Sequence, residues 1–344
     1  HSTHLLSINC APKNFRFSEV KIMTLSRLAK LANVAVSTAS KAFSMSSDIN
    51  EQTREEIFRV ARENGCFKKF FNAKYPKFTV ALICPEVHSQ HYSELCFALQ
   101  RRLQAGGCEL CISSSNFSAE AAADRLDYYE KYSSTDAIIL IDAPDTVLAL
   151  HETPIVAVGG EVKNADAVIT LDYEPALREA LLYFKESGIS GIGFIGEVRT
   201  VSKLAAFKRN MNEIFGGDFE KYISVSELRF EKGGYAAAKA LYQRGSLPDA
   251  LICAYDDLAL GAMRFFYENG ISVPEKIKII GMDNIPHSEY FAPSLSAIDF
   301  MNEDIASAAA ESVFEILNGK TPKAERNFKA RLILRESSAN KPIG

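Results

Sequence analysis

From Phe78 onward, continuous apolar runs alternate with segments of helical period, and this alternation restricts the fold more than any other feature. Phe78-Thr-Val-Ala-Leu-Ile-Cys84 is one such run, followed by a helix-period segment from Ser93 to Gly106. Similar units recur around Cys111, Ile138, Ile155, Ile192, Leu251 and Ile277. Unbroken apolar strands are buried on both faces, so the repeat predicts parallel sheets covered by helices. Two first strands, Val80 to Glu86 and Gly191 to Glu197, predict two similar lobes with a cleft between them. The 344 residues are enough for more than one core.

Gly191-Ile-Gly-Phe-Ile-Gly196 satisfies the dinucleotide fingerprint in letters only. A working fingerprint places its glycines after the strand, where they open a helix, whereas Ile192, Phe194 and Ile195 put these inside the strand. The seven cysteines are an odd number spread over a long chain, which suits a reduced, cytoplasmic protein. Cys108-Glu-Leu-Cys111 lacks a second pair and reads as two core-facing thiols. No apolar stretch reaches the roughly 18 residues of a membrane span. No Ser/His/Asp arrangement, zinc spacing or P-loop stands out, so neither an enzyme nor a metal or cofactor site is expected.

Charge divides the chain. Met23 to Tyr75 holds nine Lys or Arg against five Asp or Glu, while Pro76 onward holds 27 against 37. A basic module joined to an acidic body is the asymmetry of a chain that meets a polyanion at one end. His1 to Ile22 lack the pattern of a secretory signal and are expected to be an unstructured leader or cloning remnant.

The basic module reads as three short helices. Thr24 caps the first, with Leu25, Leu28, Ala29, Leu31 and Ala32 on one stripe; Asn33 provides the left-handed turn; Val36 to Phe43 forms the second. A polar loop, Ser44 to Asp48, leads to Asn50 as the cap of a third, with Ile57, Phe58, Val60 and Ala61 inward. This is a helix-turn-helix unit, and Ser37, Thr38, Ser40 and Lys41 have the hydroxyls and charge to meet phosphates and base edges.

Thr24 to Lys41, followed by Asp48-Ile-Asn-Glu-Gln-Thr-Arg54, resembles the N-terminal motif of the lac repressor and galactose repressor (LacI/GalR) family of bacterial transcription regulators. The resemblance continues through Asp249-Ala-Leu-Ile-Cys-Ala-Tyr-Asp-Asp-Leu-Ala-Leu-Gly-Ala-Met263, Val273 to Pro286 and Leu332 to Ser337. It implies an all-α head on an α/β two-lobed, periplasmic-binding-protein-like effector domain. The expected division is leader 1–22, head 23–70, hinge 71–78 and effector domain 79–337. Lobe 1 would take about 79–171 and 296–320, and lobe 2 about 172–295 and 321–337.

By resemblance, Thr24, Val36, Asn50, Thr53, Lys74 and Tyr75 join the DNA-contacting set. Tyr92, Asp142, Lys203, Arg229 and Asp256 form the expected effector set, with Glu86, His88, His91 and Asp145 as further strand-end candidates. Basic groups at Lys203 and Arg229 suggest an anionic effector such as a sugar phosphate or uronic acid. The implied protein is a cytoplasmic homodimer, bound to a pseudo-palindromic operator as a repressor of carbohydrate-utilisation genes, with no membrane partner. A solute-binding protein of the same fold, or a regulator with impaired DNA binding, are the alternatives.

Three departures bear on the last of these. Ala35 stands where the family usually has a capping serine, a loss of about 1 kcal/mol. Lys41 replaces an arginine and with it a planar donor fork. Gly65 to Tyr75 lacks the family's usual hinge sequence, and Pro76 opposes continuation of a helix. No heptad seam follows Ser337, which argues against a coiled-coil tetramer.

Overall fold

A computed structural model of the chain describes residues 23–71, 78–143, 151–160 and 162–339. The expected leader, Lys74, Tyr75, Asp145 and the Lys68 side chain lie outside the described residues.

The head is built from α1 (Leu25–Leu31), α2 (Val36–Phe43), α3 (Glu51–Glu63) and α4 (Phe67–Phe71). Thr24 Oγ1 accepts the Arg27 amide at 3.1 Å, and Asn50 Oδ1 accepts that of Thr53 at 2.8 Å, so two of the first three helices start on side-chain caps. Asn33 takes φ 51° and turns the chain between α1 and α2. Leu25, Leu28, Ala39, Ala42, Phe43, Ile57 and Ala61 fill the small core. Just after α3 the chain returns to it: α4 lays Phe67 and Phe70 beside Phe43 and Phe58, with ring centroids 5.1 to 6.1 Å apart. The Gly65 to Phe71 segment thus extends the head's aromatic core.

The body has two six-stranded sheets. In lobe 1, β1 (Phe78–Cys84), β2 (Cys108–Ser114), β3 (Ala137–Ile141), β4 (Ile155–Val158), β5 (Ala167–Asp172) and β11 (Glu325–Lys329) lie in the order β11-β5-β4-β3-β1-β2, all parallel. The helices α5 (Gln90–Ala105), α6 (Ala119–Lys131) and α11 (Asn302–Leu317) cover it. In lobe 2, β6 (Ile192–Glu197), β7 (Ile223–Ser226), β8 (Ala250–Cys253), β9 (Lys278–Asp283), β10 (Ser296–Asp299) and β12 (Arg331–Ile333) lie in the order β12-β10-β9-β8-β6-β7. Only β12 runs antiparallel, against β10. Its helices are α7 (Glu174–Glu186), α8 (Val201–Ile214), α9 (Phe230–Gln243) and α10 (Asp256–Glu268).

Two sequence expectations need correction. The chain crosses between lobes near Tyr173, Phe300–Met301 and Ala330, so β10 belongs to lobe 2 and β11 to lobe 1, each opposite to the lobe expected for it. Periodicity identifies a strand but carries no information about which sheet edge it joins. Second, Cys108 is buried but Cys111 is exposed. Residues three apart on a strand of period two face opposite sides, so the two thiols cannot share a core. Gly191 to Gly196 lies in β6 and its lead-in, as expected of a core strand. No helix among the described residues is long and apolar enough to cross a membrane.

Candidate functional site

Two regions carry chemistry, the outer face of α2 and the cleft between lobes. On α2, Ala39, Ala42 and Phe43 point into the head. Val36 packs against the same core, so it is a partly inward residue. At 100° per residue, Ser37 and Lys41 fall on the opposite face, with Thr38 and Ser40 on its two flanks. Lys41 Nζ lies 3.0 Å from Asp48 Oδ2 in an exposed pair, which salt and phosphate compete with easily. Ala35 has the dihedrals of a cap, φ −66° and ψ 150°, but no side chain to cap with. Arg54, the last residue of the Asp48 to Arg54 segment, is 8 % exposed and donates from Nη2 to the carbonyls of Ser46 and Ile49, at 2.7 and 3.3 Å. It fixes the loop that carries Asp48.

In the body, the carboxyl ends of both sheets face one cavity of about 570 Å³. This is where parallel sheets place ligands, because the loops after successive strands diverge there. Glu86 follows β1, Asp142 follows β3, Glu197 ends β6, Arg229 follows β7, Asp257 follows β8 and Asp283 ends β9. Tyr92, Phe117, Tyr173, Phe230, Tyr255 and Phe300 supply aromatic walls. Tyr173 and Phe300, at two of the lobe crossings, stack at 5.7 Å and 16°.

Four of the five expected effector residues line the cavity, but not as free groups. Tyr92 donates to Asp142 Oδ2 at 2.8 Å. Burial, with Asp142 beside it, holds the Tyr92 phenol well above its usual range. Lys203 Nζ donates to the Ala254 carbonyl at 2.7 Å, lies 3.4 Å from Asp283 Oδ1 and sits 4.6 Å from the centre of the Phe300 ring. Arg229 makes a two-pronged pair with Glu86 across the cleft.

Asp256 does not line the cavity. Its side chain is fully buried, with Oδ2 accepting from the Ile285 amide at 3.0 Å and Ser288 Oγ at 2.6 Å, so it anchors the turn after β9. It is the first residue of α10 and turns beneath the helix, and the 100° step to Asp257 brings that carboxyl to the cleft instead. Burial pushes Asp256 up to about 7, with Asp283 adding repulsion; burial likewise pushes Asp257 up to about 7 and Asp283 up to about 6. His91 packs edge-on to Phe300, 5.6 Å between centroids, and burial followed by the Lys203 charge pushes it down to about 4. His88 is exposed and meets the Phe230 ring edge at 5.0 Å.

The sequence did not single out Glu197, Asp257 or Asp283. Asp257 had a local signal, the second aspartate of Tyr255-Asp-Asp257, while Glu197 and Asp283 are marked only by ending apolar strands.

A helix-turn-helix head on a two-lobed, parallel-sheet body with a ligand-sized cleft defines a ligand-responsive DNA-binding protein of periplasmic-binding-protein-like fold. Residues 181–338 match the family described as "Periplasmic binding protein-like domain". The chain is 24% identical to the HTH-type transcriptional regulator AscG of Escherichia coli K12 over 331 residues, 91% of this chain and 98% of AscG. It is 25% identical to the HTH-type transcriptional regulator GalR of Lacticaseibacillus casei over 338 residues, 92% and 99% of the two chains. Among solved structures, the complex of the transcriptional regulator CelR with cellobiose superposes with a TM-score of 0.62 at 22% identity, covering 92% of this chain and all of that one. Along most of its length the chain is thus similar to HTH-type transcriptional regulators.

Proposed function

We propose that this protein is a cytoplasmic, homodimeric repressor that binds a pseudo-palindromic operator through α2 and is controlled by a carbohydrate held between its lobes. The observation that carries this reading is the lining of the cleft: carboxylates that accept hydrogen bonds alternate with aromatic rings, and hydroxyl-rich ligands need both acceptors and apolar ring faces. The complex of CelR with cellobiose supports a saccharide in the corresponding fold. Ser37, Thr38, Ser40 and Lys41 are the residues proposed to read DNA, with Thr24, Asn50 and Thr53 at the ends of helices next to the backbone.

An effector acts by favouring one arrangement of the lobes, and the three crossings at Tyr173, Phe300–Met301 and Ala330 are where that arrangement changes. Dimerisation is supported by an exposed groove between α9 and α10, lined by Leu228, Tyr235, Ala236, Leu260 and Gly261 and rimmed by Glu231, Lys232, Lys239 and Arg264. No enzymatic role is proposed for the cleft.

The test is fluorescence anisotropy of the full chain on labelled genomic fragments selected by binding, at two salt concentrations, with and without a saccharide panel. Selective binding that weakens with salt and shifts with one saccharide is expected. Binding no stronger than to a scrambled duplex after selection refutes the regulator and favours the alternative of a head that no longer holds DNA, to which the uncapped α2 already points.

A further inference from the structure

We propose that Glu86 sets the charge selectivity of the cleft: by occupying the guanidinium of Arg229 from the opposite lobe, it makes this a site for an uncharged saccharide and excludes phosphorylated or uronic ones. This rests on the reading of the cleft as an effector site and names the class of effector.

Both terminal nitrogens of the Arg229 guanidinium are engaged by one carboxylate. Its Nη1 and Nη2 donate to Glu86 Oε2 and Oε1 at 2.8 and 2.7 Å, the parallel geometry that a phosphate or carboxylate ligand would otherwise take. Its Nε is sealed from solvent and faces Glu197 Oε1 at 3.7 Å. The Phe230 and Phe117 rings lie 4.5 and 5.4 Å from its central carbon. The side chains of Arg229 and Glu86 are only 26 % and 12 % exposed, so water screens the pair poorly.

The second expected cation is also committed, Lys203 being 18 % exposed between the Ala254 carbonyl and Asp283. Of the other charged groups on the cavity wall, Arg199 is exposed at the mouth with its guanidinium 4.2 Å from the Phe117 ring centre. Five carboxyls, Glu86, Asp142, Glu197, Asp257 and Asp283, therefore face three cations of which two are already neutralised. The carboxyl oxygens of Asp142 and Asp257 make the wall rich in hydroxyl acceptors. An anion entering here loses hydration and, beyond the exposed Arg199, meets no positive group among the described cavity residues that is not already paired. A neutral saccharide donates to Asp142 and Asp257 and packs against the cavity's aromatic wall.

Isothermal titration of the full chain tests this with glucose, cellobiose, glucosamine, their phosphate monoesters and glucuronate, for the parent, Glu86→Gln and the double variant Glu86→Gln/Arg229→Gln, with each variant's Tm recorded. The parent is expected to bind a neutral saccharide at least tenfold more tightly than its phosphate monoester. Glu86→Gln frees the Arg229 fork and shifts that ratio at least tenfold toward the monoester, and the double variant cancels the shift. A parent that prefers an anion or glucosamine, a ratio unmoved in Glu86→Gln, or a gain that survives loss of Arg229 overturns the role of Glu86. If the parent and both variants bind no saccharide of any charge, the effector reading of the cleft falls and this inference with it.

Discussion

Replacing Ala35 by serine should supply the side-chain cap that α2 lacks. Ala35 has φ −66° and ψ 150°, and Asn50, which does cap its helix, has φ −66° and ψ 152°. No backbone change is needed, and because Ala35 is exposed the new hydroxyl displaces nothing. By analogy with Thr24 to Arg27 and Asn50 to Thr53, the serine hydroxyl accepts the amide of Thr38, three residues on. Such a cap is worth about 1 kcal/mol, which lowers the fraction of opened α2 about fivefold. Native-state hydrogen exchange of the full chain reads this directly: amides of Val36 to Phe43 should exchange about fivefold more slowly, while β6 to β10 are unchanged. Operator affinity should rise with it, since α2 is ordered before it meets DNA. Exchange in α2 that is unchanged or faster refutes the argument that the missing cap leaves this helix loose.

Three further outcomes are expected. Phe58→Ala removes a ring that meets Phe43 and Phe67 at 5.1 Å each and should cost the head about 3–5 kcal/mol; loss of duplex binding with saccharide binding intact checks it, and retained duplex binding contradicts a head held by this cluster. Gly261→Ala sets a Cβ 1.9 Å from the Glu231 carbonyl oxygen, where α10 meets α9 by backbone, and should lower body stability by about 3 kcal/mol in urea unfolding; an unchanged midpoint refutes the close approach. Asp256 is raised from 3.8 to about 7, so the folded state holds a proton that the unfolded chain has lost, and this contribution to stability is present below pH 3.8 and lost as pH rises through 7. His91, lowered from 6.5 to about 4, acts oppositely, its contribution being lost as pH falls from 6.5 to 4. In Asp256→Asn the Tm, compared with the parent, should improve as pH rises from 5 to 8; a constant difference across that range excludes a buried, protonated Asp256.

The head was legible almost residue by residue because its signals are local. Thr24, Asn33 and Asn50 act within three or four residues of themselves, and the inward stripe of α3 follows from helical period alone. The cleft was legible as a place, the carboxyl ends of parallel strands, but its membership was not. Asp256 carried the family's motif yet lies beneath the helix, and its neighbour Asp257 faces the cavity. A difference of 100° in direction decides between them, and no property of an isolated Asp-Asp pair sets which one turns inward.

Lys203 and Arg229 show the same division for charge. Two cations in sequence suggested an anionic ligand, but their partners Asp283 and Glu86 lie 80 and 143 residues away in the chain. By itself the sequence determined the element types, the helix caps, the turn at Asn33 and the two-lobed alternation, since propensity and period act over a few residues. Tertiary structure alone decided that β10 and β11 exchange lobes, that Cys108 and Cys111 part company across β2, and that the guanidinium of Arg229 is filled from the opposite lobe. Each of these depends on which distant segment closes on which, and that is settled by the packing of whole sheets and lobes.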